Sequence, residues 1–224
     1  KNALKGEKHV LLEKPIATNL RDGRDLVSIA RRKRKILMVS HTFKFNPGIQ
    51  ELKRIIKKGT LGEIYYINSL RTNLGPLRKD VNVMWDLAPH DLSIISYLLD
   101  SQPISVSAIG KKFLPHNLED IVFITMAYPR NIFAHIHVSW LDPRKTREIT
   151  IVGKRKMVVF DDLDSVNPVK VYDKSVIKKY FKQDYNSFEK FKMIIKSGKV
   201  SIPGIEQKEP LYVECSHFIE CIRK

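Results

Sequence analysis

Asp86 and His90 stand four residues apart in VNVMWDLAPHDLSI, residues 81–94, just before an apolar run. The spacing predicts a helix over Leu87 to Leu99. Residues four apart share a helix face, so both side chains can address one ligand. A neutral imidazole has an ordinary pKa near ~6.5 and can move a proton at neutral pH. A carboxylate beside it can bind hydroxyls or orient the ring. A plainer reading gives these residues structural work only, with Asp86 capping free N–H groups at the helix start and His90 satisfied by packing. From these residues alone both readings stand.

The elements on either side bear on the choice. Val10 to Glu13 reads as a short apolar strand ending in the polar turn Glu13–Lys14–Pro15. Asn19 with Asp22 marks a helix start, with Leu20, Val27, Ile29 and Ala30 as its apolar side. Ile36 to Ser40 is a second apolar strand, completing a strand–helix–strand unit of a parallel sheet. Asn46 followed by Pro47 opens another helix, with Gly59 as its stop.

Beyond Asp100 the periodicity changes to strands in succession: Ile104–Phe113, Ile121–Tyr128, Ile132–Trp140, Arg147–Val152 and Met157–Phe160. This order predicts a mostly antiparallel sheet. A further hairpin is expected from Val169–Tyr172 and Val176–Phe181, and a last helix opens at Glu209–Pro210 with Cys215, Phe218, Ile219 and Ile222 inward. His135 and His137 share one strand face, and without a clustered third ligand they read as sheet surface rather than a zinc site.

The chain has 224 residues and 43% hydrophobic content, ordinary for a globular protein with a core. No run approaches the ~20 apolar residues of a membrane span, so a membrane role is not expected. Cys215 and Cys221 do not make a disulfide framework, and a reducing cytoplasm fits them. Forty Lys and Arg against 24 Asp and Glu give a net charge of +16. These cations are spread along the chain without a nucleic-acid signature, which disfavours nucleic acid and favours an anionic small molecule.

The order of four stretches resembles the Gfo/Idh/MocA oxidoreductases, relatives of glucose–fructose oxidoreductase and inositol dehydrogenase. They are GEKHVLLEKP ending at Pro15, HTFKFNP from His41 to Pro47, DLAPHD from Asp86 to Asp91, and the helix from Glu209 through Phe218. The resemblance implies a fold of α/β plus α+β class. The C-terminal part of a dinucleotide-binding Rossmann domain would occupy residues 1–40. A substrate-binding and oligomerisation domain, with a large sheet covered by helices on one face, would occupy 41–224.

No G-x-G-x-x-G turn is present, so the resemblance further implies that about the first hundred residues of the domain precede Lys1 and that a short segment follows the last helix. The implied activity is hydride transfer between NAD or NADP and a hydroxyl-bearing carbon of a sugar, nucleotide sugar or polyol, belonging to the whole enzyme. His90 would be the acid/base, and Lys14 would stabilise alkoxide charge or relay the proton. Asp86, Lys44 and Asn73 would bind substrate, and Glu13, Lys14 and Pro15 would border the cofactor. Lys44 departs from the arginine usual at that position, which weakens bidentate binding there. A homo-oligomer through the sheet is also implied. The competing reading is a non-catalytic binding or assembly module on the same scaffold.

Overall fold

Asn19 is the N-cap that the sequence leads one to expect: its side chain accepts a hydrogen bond from Asp22 N at 2.9 Å. In the computed structural model, which describes residues 1–115, 117–180 and 191–224, this cap opens α2 (Leu20–Arg32). A short α1 (Asn2–Lys5) precedes it. β1 (Val10–Glu13) and β2 (Leu37–Ser40) flank it and pair in parallel, Val10 opposite Leu37. Leu4, Ile29 and Ala30 form the small core of this unit. Leu20 and Val27, expected inward, are exposed; Ile29 and Ala30 occupy the face turned to the strands, and Leu20 and Val27 line a groove instead.

A 3-10 turn (Thr42–Phe45) leads into α3 (Pro47–Lys57), where Asn46 Oδ1 caps Gly48 N at 2.8 Å. β3 (Ile64–Leu74) follows, then α4 (Val83–Leu99), which begins four residues earlier than expected. Asn82, not Asp86, is its N-cap, accepting from Trp85 N at 3.1 Å. Asp86 is thereby freed to project from the first turn.

The remaining strands are β4 (Ser105–Lys111), β5 (Ile121–Tyr128), β6 (Ile132–Ser139), β7 (Leu141–Gly153), β8 (Met157–Asp161), β9 (Val169–Tyr180) and β10 (Phe191–Ser201). With β3 they form one sheet in the order β10-β9-β8-β7-β3-β6-β5-β4. All neighbours are antiparallel except β3 and β6, which run parallel. β3 belongs to an earlier part of the chain, and insertion between β6 and β7 puts it at the sheet's centre.

The expected hairpin within 169–181 is not formed. β9 runs straight through Asp173 and Lys174 and pairs with β10, in which Lys196 bonds Asp173 at 2.7 Å across the strands. Phe181 and the segment 182–190 lie outside the described residues.

α3 and α4 cover one face of the sheet, burying Ile49, Leu52, Ile94, Ile95 and Leu98 against Ile67, Ile124, Ile136 and Ile151. The other face leaves Tyr66, Phe123 and Phe133 exposed. Phe123 stacks on His137, with ring centroids 4.4 Å apart, and lies 5.9 Å from His135. Among the described residues no group of three or more metal-ligating side chains occurs, and no helix is long and apolar enough to cross a membrane.

α5 (Pro210–Arg223) is capped by Glu209. Cys215 and Ile219, expected inward, are exposed, whereas Glu214 is fully buried. Its carboxylate accepts from Ser40 Oγ at 3.0 Å and Thr42 Oγ1 at 2.8 Å, so a polar contact to the end of β2 decides which face of α5 turns in.

Candidate active site

β1 ends at Glu13, and the next residue, Lys14, reaches the first turn of α4. Its ammonium donates to the Asp86 carbonyl oxygen at 2.6 Å and lies 3.9 Å from the Asp86 carboxylate. The Rossmann-like unit and the sheet domain thus meet at one cation. Partial burial pushes the Lys14 pKa down, opposed by the charges of Asp86 and Glu13.

Asp86 is held from three sides. Trp140 Nε1 donates to its Oδ2 at 3.2 Å, and Arg78 donates to Oδ1 at 3.3 Å, in addition to the Lys14 contact. No hydrogen bond joins Asp86 to His90 among the described residues, so Asp86 does not orient the ring by a direct contact. The two instead line one small polar pocket of about 210 Å³ with Asn73, Arg71, Lys145 and Arg147.

His90 lies edge-on to Phe43, ring centroids 5.0 Å apart. Its Nδ1 is buried without a hydrogen-bond partner among the described residues. Burial, reinforced by the charges of Arg71, Lys14, His41 and Arg147, depresses its pKa to about 3. The imidazole is therefore neutral at pH 7 and able to accept a proton. His41, near the end of β2, is likewise buried and depressed to about 4, with Lys44 and Lys14 adding to the effect.

The next residue in the motif, Asp91, fixes the rotation of α4. It is 1% exposed and receives Arg71 Nε at 2.8 Å, Arg71 Nη2 at 3.0 Å and Ser69 Oγ at 2.9 Å. Ser69 and Arg71 are alternate residues of β3, pointing together toward the helix layer. The Arg71 guanidinium also lies over Phe43, 4.4 Å from the ring centroid. Phe43 is thus the shared neighbour of the strand arginine and of His90.

The sequence-derived residues separate into two places. Asp86, Asn73 and His90 share the polar pocket, with Lys14 bonded to its rim. Lys44 does not join them. It lines a neighbouring apolar groove of about 1120 Å³ with Pro15, His41 and Trp85, where burial lowers its pKa. Glu13 is exposed at the strand end and acts on Lys14 only through its charge. Arg71, Lys145, Arg147, Phe43 and Trp140 complete the pocket and were not found by motif. Arg71 alone carried a signal, as a charge at an inward-facing position of an alternating strand, where burial demands a partner.

The depressed histidines make stability depend on pH. Both fold with pKa values, about 3 and about 4, below the ordinary 6.5. The unfolded chain therefore binds more protons as pH falls below 6.5, and this contribution is lost progressively down to the folded values. The melting temperature should fall between about pH 7 and about pH 4, and fall less in a His41→Gln, His90→Gln double variant. An identical decline in both proteins, followed by circular dichroism, would contradict these assignments.

Residues 1–41 match the family model for the oxidoreductase family with NAD-binding Rossmann fold, and residues 49–159 match the GFO/IDH/MocA C-terminal domain. The chain is 30% identical over 144 residues to 2,7-anhydro-N-acetylneuraminate hydratase of Escherichia coli, covering 57% of this chain and 38% of that protein. It is 30% identical over 122 residues to inositol 2-dehydrogenase of Gluconacetobacter diazotrophicus, covering 51% and 36%. The chain thus spans well under half the length of these curated relatives. Among solved structures, UDP-N-acetylglucosamine 3-dehydrogenase of Acidithiobacillus ferrooxidans superposes with a TM-score of 0.75 at 19% identity, covering 99% of this chain and 64% of that one. That likeness concerns the fold. With both family models matched in chain order, and the strand-end lysine meeting the helix motif, the chain belongs to the Gfo/Idh/MocA family of oxidoreductases.

Proposed function

We propose that the whole protein transfers hydride between NAD or NADP and a hydroxyl-bearing carbon of a sugar, nucleotide sugar or polyol. The observation that carries this reading is the convergence of Lys14 from the end of β1 with the pocket of Asp86 and His90 on α4. A half-buried ammonium and a neutral imidazole meeting at one small polar pocket suit removal of a proton from a hydroxyl as negative charge grows on its oxygen.

In this reading His90, neutral at pH 7, takes the hydroxyl proton. The Lys14 ammonium stabilises the alkoxide that forms. Asp86, oriented by Trp140 and Arg78, accepts hydrogen bonds from neighbouring hydroxyls, and Asn73 adds a further polar contact. The donor set at the end of β1 suits a nicotinamide, and Glu13, Lys14 and Pro15 would border it. That group, when bound, accepts or supplies the hydride. The boundary between the nucleotide and substrate units falls near residue 40, in keeping with two separate hydrophobic cores.

Two free cysteines fit a cytoplasmic setting. The exposed face with Tyr66, Phe123 and Phe133 suits self-association of the sheet. Sedimentation of a Phe133→Glu variant tests this, since an unchanged oligomeric state would exclude that face. For the activity, the direct test is formation of reduced nicotinamide by the full-length protein with sugars and polyols as donors. Persistence of full turnover in Lys14→Met would overturn the assignment.

A further inference from the structure

The pocket around His90 is small and unevenly charged. At about 210 Å³ it lies below the roughly 300–1,000 Å³ typical of drug-sized ligands and fits one sugar ring better than a nucleotide sugar. One carboxylate, Asp86, lines it, already engaged by Trp140, Arg78 and Lys14. The charge of Arg71 is matched internally by Asp91.

The wall that β7 contributes, beside Arg71, is different. Lys145 and Arg147 are alternate residues of β7, so both project to the same side and reach the pocket. Arg147 is ion-paired with Asp162 at 3.1 Å, so it brings the remaining donors of its five-donor fork rather than an unmatched charge. Lys145 has no ion-pair partner among the described residues. Two cations two residues apart on one strand face, beside a pocket of monosaccharide size, match an acceptor with two oxygens at the end of a sugar.

We propose that the substrate is a carboxylate-bearing monosaccharide or polyol, its carboxylate held by Arg147 and Lys145 while its hydroxyls meet Asp86 and His90. This inference rests on the sugar-dehydrogenase reading and narrows it. The charge balance around His90 supports it. Burial first, and then the charges of Arg71, Lys14, His41 and Arg147, disfavour a proton on the imidazole in the free protein. An arriving carboxylate offsets that field and makes His90 a stronger base when substrate is in place. The flat guanidinium adds bidentate geometry that a lysine alone lacks.

Calorimetric titration of the full-length protein with D-glucuronate, D-glucose and D-glucose 6-phosphate tests the proposal. D-Glucuronate should bind about tenfold or more tightly than D-glucose, a preference that shrinks with added salt. Arg147→Gln with Lys145→Gln should bring that ratio close to one. Lys145→Gln alone, at an exposed position, should lower the ratio measurably, so the test stands even if the double variant misfolds. Equal affinity for glucuronate and glucose, or a ratio unchanged in both variants, would overturn the proposal. Tighter binding of the phosphate than of the uronate would replace carboxylate recognition by phosphate recognition and overturn it too. Binding of none of the three, together with no reduced nicotinamide formed from any sugar or polyol, would instead remove the sugar reading beneath it.

Discussion

Replacement of His90 by alanine is expected to lower kcat of the full-length protein by about 10²–10⁴-fold, the usual range for losing a positioned acid/base. Lys14→Ala should cost a comparable factor, and the double variant little more than either single one, because groups that act on one proton transfer are not additive. The pH profile separates this from a structural defect. With its pKa depressed to about 3, His90 in the free protein adds no acid limb to kcat/KM near pH 6.5. The limb should lie well below that value in the native protein. A His90→Ala variant that keeps both turnover and profile would show that the imidazole is a packed core histidine after all.

Removing Asp91 should be the most destabilising single change at the site. Asp91→Ala leaves the Arg71 guanidinium, 6% exposed, without its carboxylate. Breaking a buried pair from one side costs about 3–5 kcal/mol, whereas replacing both partners by apolar residues is often close to neutral. Urea denaturation should therefore show a large loss in Asp91→Ala and recovery in Arg71→Met with Asp91→Leu. The recovered protein should still lose turnover, because Asp91 and Arg71 set the rotation of α4 that aims His90. Equal stability losses in the single and double variants would mean that the pair matters by packing rather than by charge.

Much of the architecture could be read locally. Asn19 and Asn46 cap helices that the apolar spacing already indicated. What failed was long-range. Asp173 and Lys174 look like turn residues, but the ladder to β10 carries them in one continuous strand. Glu214 would be an outward residue on periodicity alone, and it turns inward because Ser40 and Thr42, more than 170 residues earlier, donate to it.

The site divides in the same way. Asp86 and His90 announced themselves by spacing, and Lys14 only by the resemblance of its tripeptide. Arg71, Lys145 and Arg147 come from strands whose order in the sheet sequence spacing does not encode. Lys44 shows the converse: it lies within a recognisable motif, yet its side chain lines the neighbouring groove.

The most direct test of hydride transfer at this pocket is a deuterium isotope effect. Full-length protein would be mixed with NAD or NADP and with a sugar acid carrying deuterium on one ring carbon at a time, and formation of reduced nicotinamide followed in a single turnover. The account predicts a slower rate for deuterium at one carbon only, with deuterium recovered in the reduced cofactor, and loss of both signals in His90→Ala. Reduced nicotinamide formed at the same rate with every labelled position, or without deuterium in it, would contradict hydride transfer from the bound sugar.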